Sequence, residues 1–273
     1  MLRNTFIHCR GIAKKKESSL KLHGINTWQD ALKPGASLPL GSGQKKKFID
    51  DINQGITALN KADIAYFIES LPIVEQWRIL AHFQKDISFL DIETTGFSPS
   101  FSEVSIICLY HKQKFHTFVK GINLKKFLPF LSDIKLLTTF CGSHFDIPHL
   151  KEALRIPYFP CPHIDLRWQC YHLGLRGGLK NIETKLGLSR PPNYQGITGQ
   201  EAIELWYSYK NTQDLASLKK LKIYSLLDVL SLRLLLMKIL EKRQTVMNKG
   251  LFENLKTMFS SEKKISEVYQ SLN

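Results

Sequence analysis

The sequence predicts an α/β fold: a mixed five-stranded sheet flanked by helices, with a small helical segment ahead of it. Three observations carry this. Compact apolar runs at 87–92, 104–110 and 114–119 read as an antiparallel meander, with only the turn 111–113 between the last two. After the meander, strand-like runs alternate with helix-patterned segments, the order expected when later strands are parallel. Before it, the patterned segments are helical.

The elements follow in order. Residues 1–33 form a basic helical segment, with Leu20, Leu22, Ile25, Trp28 and Leu32 as spaced apolar positions. Residues 34–47 hold two Pro, three Gly and three Lys and read as a linker. Residues 48–84 form a helical lead-in with helices at 58–69 and 73–84, the second showing Val74, Trp77, Leu80 and Phe83 on one face. The sheet domain spans 85–243. Its meander is followed by a helix at 124–131, a buried strand at 134–140, a helix at 147–155 and a short strand at Ile164. Helices at 165–173, 179–187, 199–210 and 214–241 complete it, the last with a break near 222. Residues 244–273 are a C-terminal tail. No internal repeat is visible.

Composition bounds the function. The chain has 273 residues, 43% of them hydrophobic, which suffices for a sizeable core and excludes wholesale disorder. No apolar run approaches the roughly 18 residues that span a bilayer. The longest, 225–240, carries Asp228, Arg233 and Lys238. The five cysteines (Cys9, Cys108, Cys141, Cys161, Cys170) form no CxxC pair and read as reduced thiols. The first sixteen residues are basic without an apolar h-region, which argues against secretion, so a cytoplasmic location is expected, with an organellar transit peptide, poor in Ser, as the alternative.

The net charge of +14 is uneven. Residues 1–48 hold ten Lys/Arg against Glu17 and Asp30, a net of +8. Such a basic end suggests a polyanion, nucleic acid before membrane, with Lys14, Lys15 and Lys16 as candidate contacts. The alternative is a solvated tail that aids solubility.

Three segments concentrate acids that could carry chemistry. In Phe89-Leu90-Asp91-Ile92-Glu93-Thr94, strand alternation puts Asp91 and Glu93 on one side and Leu90 and Ile92 on the other. Two such carboxylates repel unless a cation neutralises them, and oxygen ligands suit Mg²⁺ or Mn²⁺. Solvated acids at a strand end are the alternative. In Thr139-Phe140-Cys141-Gly142-Ser143-His144-Phe145-Asp146, Asp146 falls where a helix begins, so a helix cap is its plain explanation. In Tyr224-Ser225-Leu226-Leu227-Asp228, the Tyr and Asp share a helix face one turn apart, amid leucines. A covered Asp there needs a partner, and a metal would serve. His144, His149 and His163 lack a zinc-type spacing and read as structural.

Together, Asp91 and Glu93, then Asp146, then Tyr224 with Asp228 resemble the DEDDy branch of the 3′–5′ exonucleases with the RNase H-like fold. The intervening Trp77-Arg78-Ile79-Leu80, His163-Ile164-Asp165-Leu166, Gly178-Leu179-Lys180-Asn181-Ile182-Glu183 and Gly199 to Tyr209 resemble the YprB-type family of exonucleases. The likeness covers 77–240 and touches Asn4-Thr5-Phe6, Gly11-Ile12 and Ile25-Asn26-Thr27-Trp28. Ile223 stands where the sister branch would carry its histidine. Two positions depart from the pattern. Cys141 replaces the family's Asn before the glycine, and Ala13 replaces the second glycine of a helix-hairpin-helix-like turn.

The resemblance implies an exonuclease that hydrolyses terminal phosphodiester bonds of single-stranded DNA or RNA. It implies two divalent ions, Mg²⁺ or Mn²⁺, held by Asp91, Glu93, Asp146 and Asp228, with Tyr224 positioning the attacking water. Thr94 and Phe97 would touch the 3′ nucleotide, by backbone contact and by stacking. The alternative is a nucleic-acid-binding module on the same fold with little or no activity.

Overall fold

A computed structural model describes residues 1–243, 245 and 248–270. They divide into two compact units, Met1–Lys85 and the chain from Asp86 onward.

The first unit is built from α1 (Lys14–Leu22), α2 (Trp28–Leu32), α3 (Ser42–Asn60), α4 (Ile64–Ser70) and α5 (Trp77–His82). Phe6, Trp28, Phe48, Ile52 and Phe67 are enclosed in one core. Polar anchors fix the start of the chain to it. Glu17 accepts from Thr5 Oγ1 at 2.6 Å and from the Phe6 amide at 2.7 Å, and Trp28 Nε1 donates to the Thr5 carbonyl at 2.7 Å. Thr27 and Asp30 close a capping box at the start of α2.

The linker expected at 34–47 is shorter, because α3 already begins at Ser42. Gly41-Ser42-Gly43 reads locally as a breaker. Phe48, Ile52 and Gly55 nevertheless bury one face of a long helix, and that packing carries the helix back through the lysines. The helix expected at 58–69 is two helices. Ala62 takes a left-handed φ of 51°, and the Asp63 side chain caps α4 by accepting from the Tyr66 amide at 3.1 Å.

The second unit contains β1 (Ile87–Thr94), β2 (Val104–His111), β3 (Lys114–Val119), α6 (Leu128–Leu131), β4 (Leu136–Thr139), α7 (Asp146–Leu154) and β5 (His163–Asp165). They are followed by α8 (Leu166–Tyr171), α9 (Leu179–Lys185), α10 (Gly199–Thr212), α11 (Leu215–Lys242), α12 (Lys249–Ser260) and α13 (Glu262–Gln270). The sheet order is β3-β2-β1-β4-β5, antiparallel across β3, β2 and β1, and parallel from β1 to β4 to β5. This is the expected mixed sheet. Leu90, Ile92, Ile107, Leu109, Phe118 and Leu137 join the buried core on one face. The opposite side chains of β1 meet α11.

No break interrupts α11, since no Gly or Pro falls within it and Leu218 and Leu221 are buried on either side of the lysines. Asp214 caps it by accepting from the Ala216 amide at 2.9 Å. Residues 244–273, expected as a tail, supply α12 and α13, which bury Phe252, Leu255, Phe259 and Ile265. Positions 244, 246, 247 and 271–273 lie outside the described residues.

Candidate active site

β1 delivers two acids to one side of the sheet, and α11 crosses that side with a third. Asp91, Glu93 and Asp228 each present a carboxylate oxygen, and these atoms lie within 4.8 Å of one another. A register shift between Glu93 and Thr94 marks the end of regular pairing with β2 at this point. Asp146 stands outside that trio but is close enough to act on it electrostatically. It is not the cap of α7. Phe145 occupies the cap position without a side-chain bond, and Asp146, the first helical residue, is buried.

The acids crowd one another, with Glu93, Asp146 and Asp228 buried and Asp91 partly exposed. Burial and then Asp228, Glu93 and Asp146 push the Asp91 carboxyl far above the usual carboxylate range. Burial and Asp228 do the same to Glu93. Asp146 is pushed up to about 8, chiefly by burial, with backbone amides offsetting part of the rise. Such a cluster is stable in ionised form only beside a cation. Its donors are all hard oxygens, so the residues present fit Mg²⁺ or Mn²⁺.

Two basic residues already face the cluster. Arg190, 5% exposed, donates through Nη2 to Asp228 Oδ1 and, at 2.5 Å, to Glu183 Oε1, and through Nε to Glu183 Oε2 at 2.9 Å. Burial alone would depress the guanidinium, but Asp228 and Glu183 reverse this and hold it above its ordinary range. The ring of Phe259, from α12, lies 5.9 Å from its Cζ. Lys180 donates to the Tyr224 hydroxyl and to the Ile197 carbonyl, its ammonium 4.5 Å from the Tyr224 ring centre. Burial and the neighbouring acids push the Tyr224 phenol well above its ordinary range, so it is a neutral hydrogen-bond donor.

Sequence reasoning missed Arg190. A single Arg before Pro191-Pro192 carries no periodic or motif signal. Glu183 and Lys180 entered only as part of the family-like segment, with no role attached.

Asp165 shapes the loop that leads to Asp146. Its Oδ1 accepts from the amides of Cys141 at 2.9 Å and Arg167 at 3.0 Å, and its Oδ2 accepts from the Ser143 amide at 3.1 Å. Cys141 holds a left-handed φ of 66°, a conformation that Asn adopts more readily than Cys. At Gly142 a Cβ would stand 2.0 Å from Thr139 Oγ1, so only glycine fits. His149 and His163 are structural. The first bonds Ser102 and the Phe145 carbonyl, and the second bonds Thr139.

A cavity of about 170 Å³ opens on the acids, with Thr94, Phe97 and Tyr224 in its wall. Thr94 donates its hydroxyl to the Gly96 carbonyl at 2.6 Å. Phe97 is 89% exposed, free of any core. Lys14, Lys15 and Lys16 belong to the first unit, at the start of α1.

Comparison with known proteins gives one family. The model of the RNase H superfamily matches residues 88–240. No curated protein matches. Among solved structures, the family B DNA polymerase of the archaeon Pyrobaculum calidifontis is 17% identical, with a TM-score of 0.44, covering 67% of this chain and 28% of the polymerase chain. The chain thus spans little more than a quarter of that polymerase's length. A structure described as the apo form of a nuclease is 18% identical, with a TM-score of 0.42, covering 70% of this chain and 87% of its own. Brucella melitensis NrnC is 20% identical, with a TM-score of 0.40, covering 71% of this chain and 88% of its own.

Proposed function

The chain belongs to the RNase H superfamily, and from that premise we propose that it is a metal-dependent 3′–5′ exonuclease of the DEDDy, YprB-like type, acting on single-stranded DNA or RNA. The observation that carries this is the meeting of Asp91, Glu93 and Asp228 within 4.8 Å, with Tyr224 one helical turn before Asp228.

Asp91, Glu93 and Asp228 would hold Mg²⁺ or Mn²⁺, with Asp146 completing a set able to hold two ions. When bound, the ions supply an activated water and stabilise charge on the scissile phosphate. The remaining work falls to the protein. Tyr224, kept neutral by burial and by the acids, donates a hydrogen bond that orients the attacking water. Lys180 fixes the direction of that hydroxyl. Phe97, exposed at the rim, offers a face on which the terminal base stacks, and the Thr94 backbone lies beside it.

A second possibility draws on Arg190. Its guanidinium already neutralises Asp228, which favours a weakly active or purely binding protein if the ion cannot displace it. End-labelled single strands with Mg²⁺ or Mn²⁺ decide between the two. Stepwise shortening from the 3′ end, abolished by EDTA and by Asp91→Ala, supports the exonuclease. Tyr224→Phe should lower kcat by roughly 10²-fold, the lower end expected for a proton-handling group, with KM little changed. Binding without cleavage under either metal would leave only the binding module.

A further inference from the structure

Two lysine runs that are far apart in sequence lie on the first unit and are joined through Lys16 and Gln44. Lys14, Lys15 and Lys16 form the first turn of α1, and Lys45, Lys46 and Lys47 follow the first residues of α3. Gln44 joins them. Its Nε2 donates to the Gly11 carbonyl at 3.2 Å, and its Oε1 accepts from Lys16 Nζ at 3.2 Å. Gly11 holds a left-handed φ of +75°, which suits glycine, and a Cβ there would press on the Gln44 amide nitrogen at 3.3 Å.

All six lysines are exposed. Lys14 reaches Glu75 at 3.2 Å, whereas Lys15, Lys45, Lys46 and Lys47 have no acidic partner among the described residues. The arrangement works against helix electrostatics. Neither Ala13 nor Gly41 caps its helix with a side chain, so both helix starts keep orphan amides and the positive end of the dipole. Acids would relieve this, yet the first turn of α3 has none, and Glu17 of α1 is turned inward to Thr5 and Phe6. On α1 the cations occupy the first turn, where anions would be stabilising, and on α3 they follow directly after it.

We infer that this lysine-rich end of the first unit binds the sugar–phosphate backbone of a nucleic-acid strand, with Lys15, Lys16, Lys45, Lys46 and Lys47 as the phosphate contacts. Phosphate oxygens accept from both ammonium groups and helix-end amides, so one ligand answers both features. A lipid surface fits less well. Ile12 and Phe48 beside the cations are buried, and Leu22, the exposed leucine of α1, lies two turns beyond Lys15. The inference rests on the proposed exonuclease only in taking the strand to be its substrate, and the contacts do not involve the acids.

The test is fluorescence anisotropy of a labelled single strand of about 20 nucleotides with the full chain in EDTA, titrated with salt. Five phosphate contacts give a log–log salt slope of about −3.5, at roughly 0.7 per contact. Replacing Lys45, Lys46 and Lys47 together by Gln should reduce the slope by about 2 and weaken low-salt binding by roughly tenfold or more. The triple Arg variant should restore both. An unchanged slope in the Gln variant overturns the inference. So does tighter association with phosphatidylserine–phosphatidylcholine vesicles than with the strand at the same salt. No cleavage occurs in EDTA, so this outcome is independent of the exonuclease assay, whose own failure is the absence of 3′ shortening by the wild-type chain with metal.

Discussion

The Arg190 guanidinium bonds Asp228 and Glu183 together, so one buried cation ties the helix acid of the site to α9. Asp228 is therefore paired with a buried cation, while the carboxyls of Asp91 and Glu93 are raised toward the protonated state. Removing Arg190 leaves two buried carboxylates without their cation. Arg190→Met should destabilise the metal-free protein by about 3–5 kcal/mol, and adding Glu183→Gln should recover part of this. Urea unfolding in EDTA measures both. A loss below about 1 kcal/mol would mean the pair is solvated, as surface pairs are.

Asp91 should show function and stability moving in opposite directions. Asp91→Asn keeps the shape and removes a carboxylate that burial and three neighbouring acids disfavour. Nuclease activity should fall by about 10²–10³-fold or more. Stability in EDTA near neutral pH should rise, because folding no longer has to accommodate that carboxylate. A variant that loses both activity and stability contradicts the strained-cluster account.

The same acids set a pH dependence. Asp91, Glu93 and Asp146 are raised in the fold, Asp146 to about 8, while in the unfolded chain such groups ionise near about 4. Between those values the folded state binds more protons, so stability falls as pH rises. Arg190 and Lys180 face the cluster and temper the effect without reversing it. Calorimetry in EDTA should show Tm falling from about pH 6.5 to about pH 8, because below that range His8 and His163, lowered to about 4 by burial, pull stability the other way. Excess Mg²⁺ should flatten the fall, because bound cations replace the protons. A Tm that rises with pH in EDTA would falsify this.

The loop between β4 and α7 tests backbone geometry. Cys141→Asn suits the left-handed backbone at φ 66° and should stabilise the protein by about 0.5–1 kcal/mol. Gly142→Ala places a methyl against Thr139 Oγ1 and should cost about 1–3 kcal/mol, moving Asp146 and lowering activity with it. Thermal melts and a nuclease assay on both variants check the pair.

Period-2 alternation in β1 was enough to put Asp91 and Glu93 opposite Leu90 and Ile92, and helical spacing was enough to put Tyr224 above Asp228. The meander and the later alternation of strands and helices likewise announced the mixed sheet. Those features are local, set by side-chain direction along one element. Arg190, Glu183 and Lys180 are different. Their roles depend on α9 and the segment before α10 folding back over α11, and no spacing in the sequence encodes that approach. The C-terminal helices were missed for a simpler reason. Asn248 as a cap and Phe252, Leu255 and Phe259 at helical spacing were legible, but only burial against the rest of the second unit shows them to be part of its core. The opening charge asymmetry divides the same way. Sequence alone determined that more than half of the excess positive charge, +8 of +14, lies in the first 48 residues. Tertiary structure decided that α3 carries the second lysine run and joins it to the first through Gln44 and Lys16, because the burial of Phe48 and Ile52 fixes that helix in place and Gln44 bridges its start to Gly11.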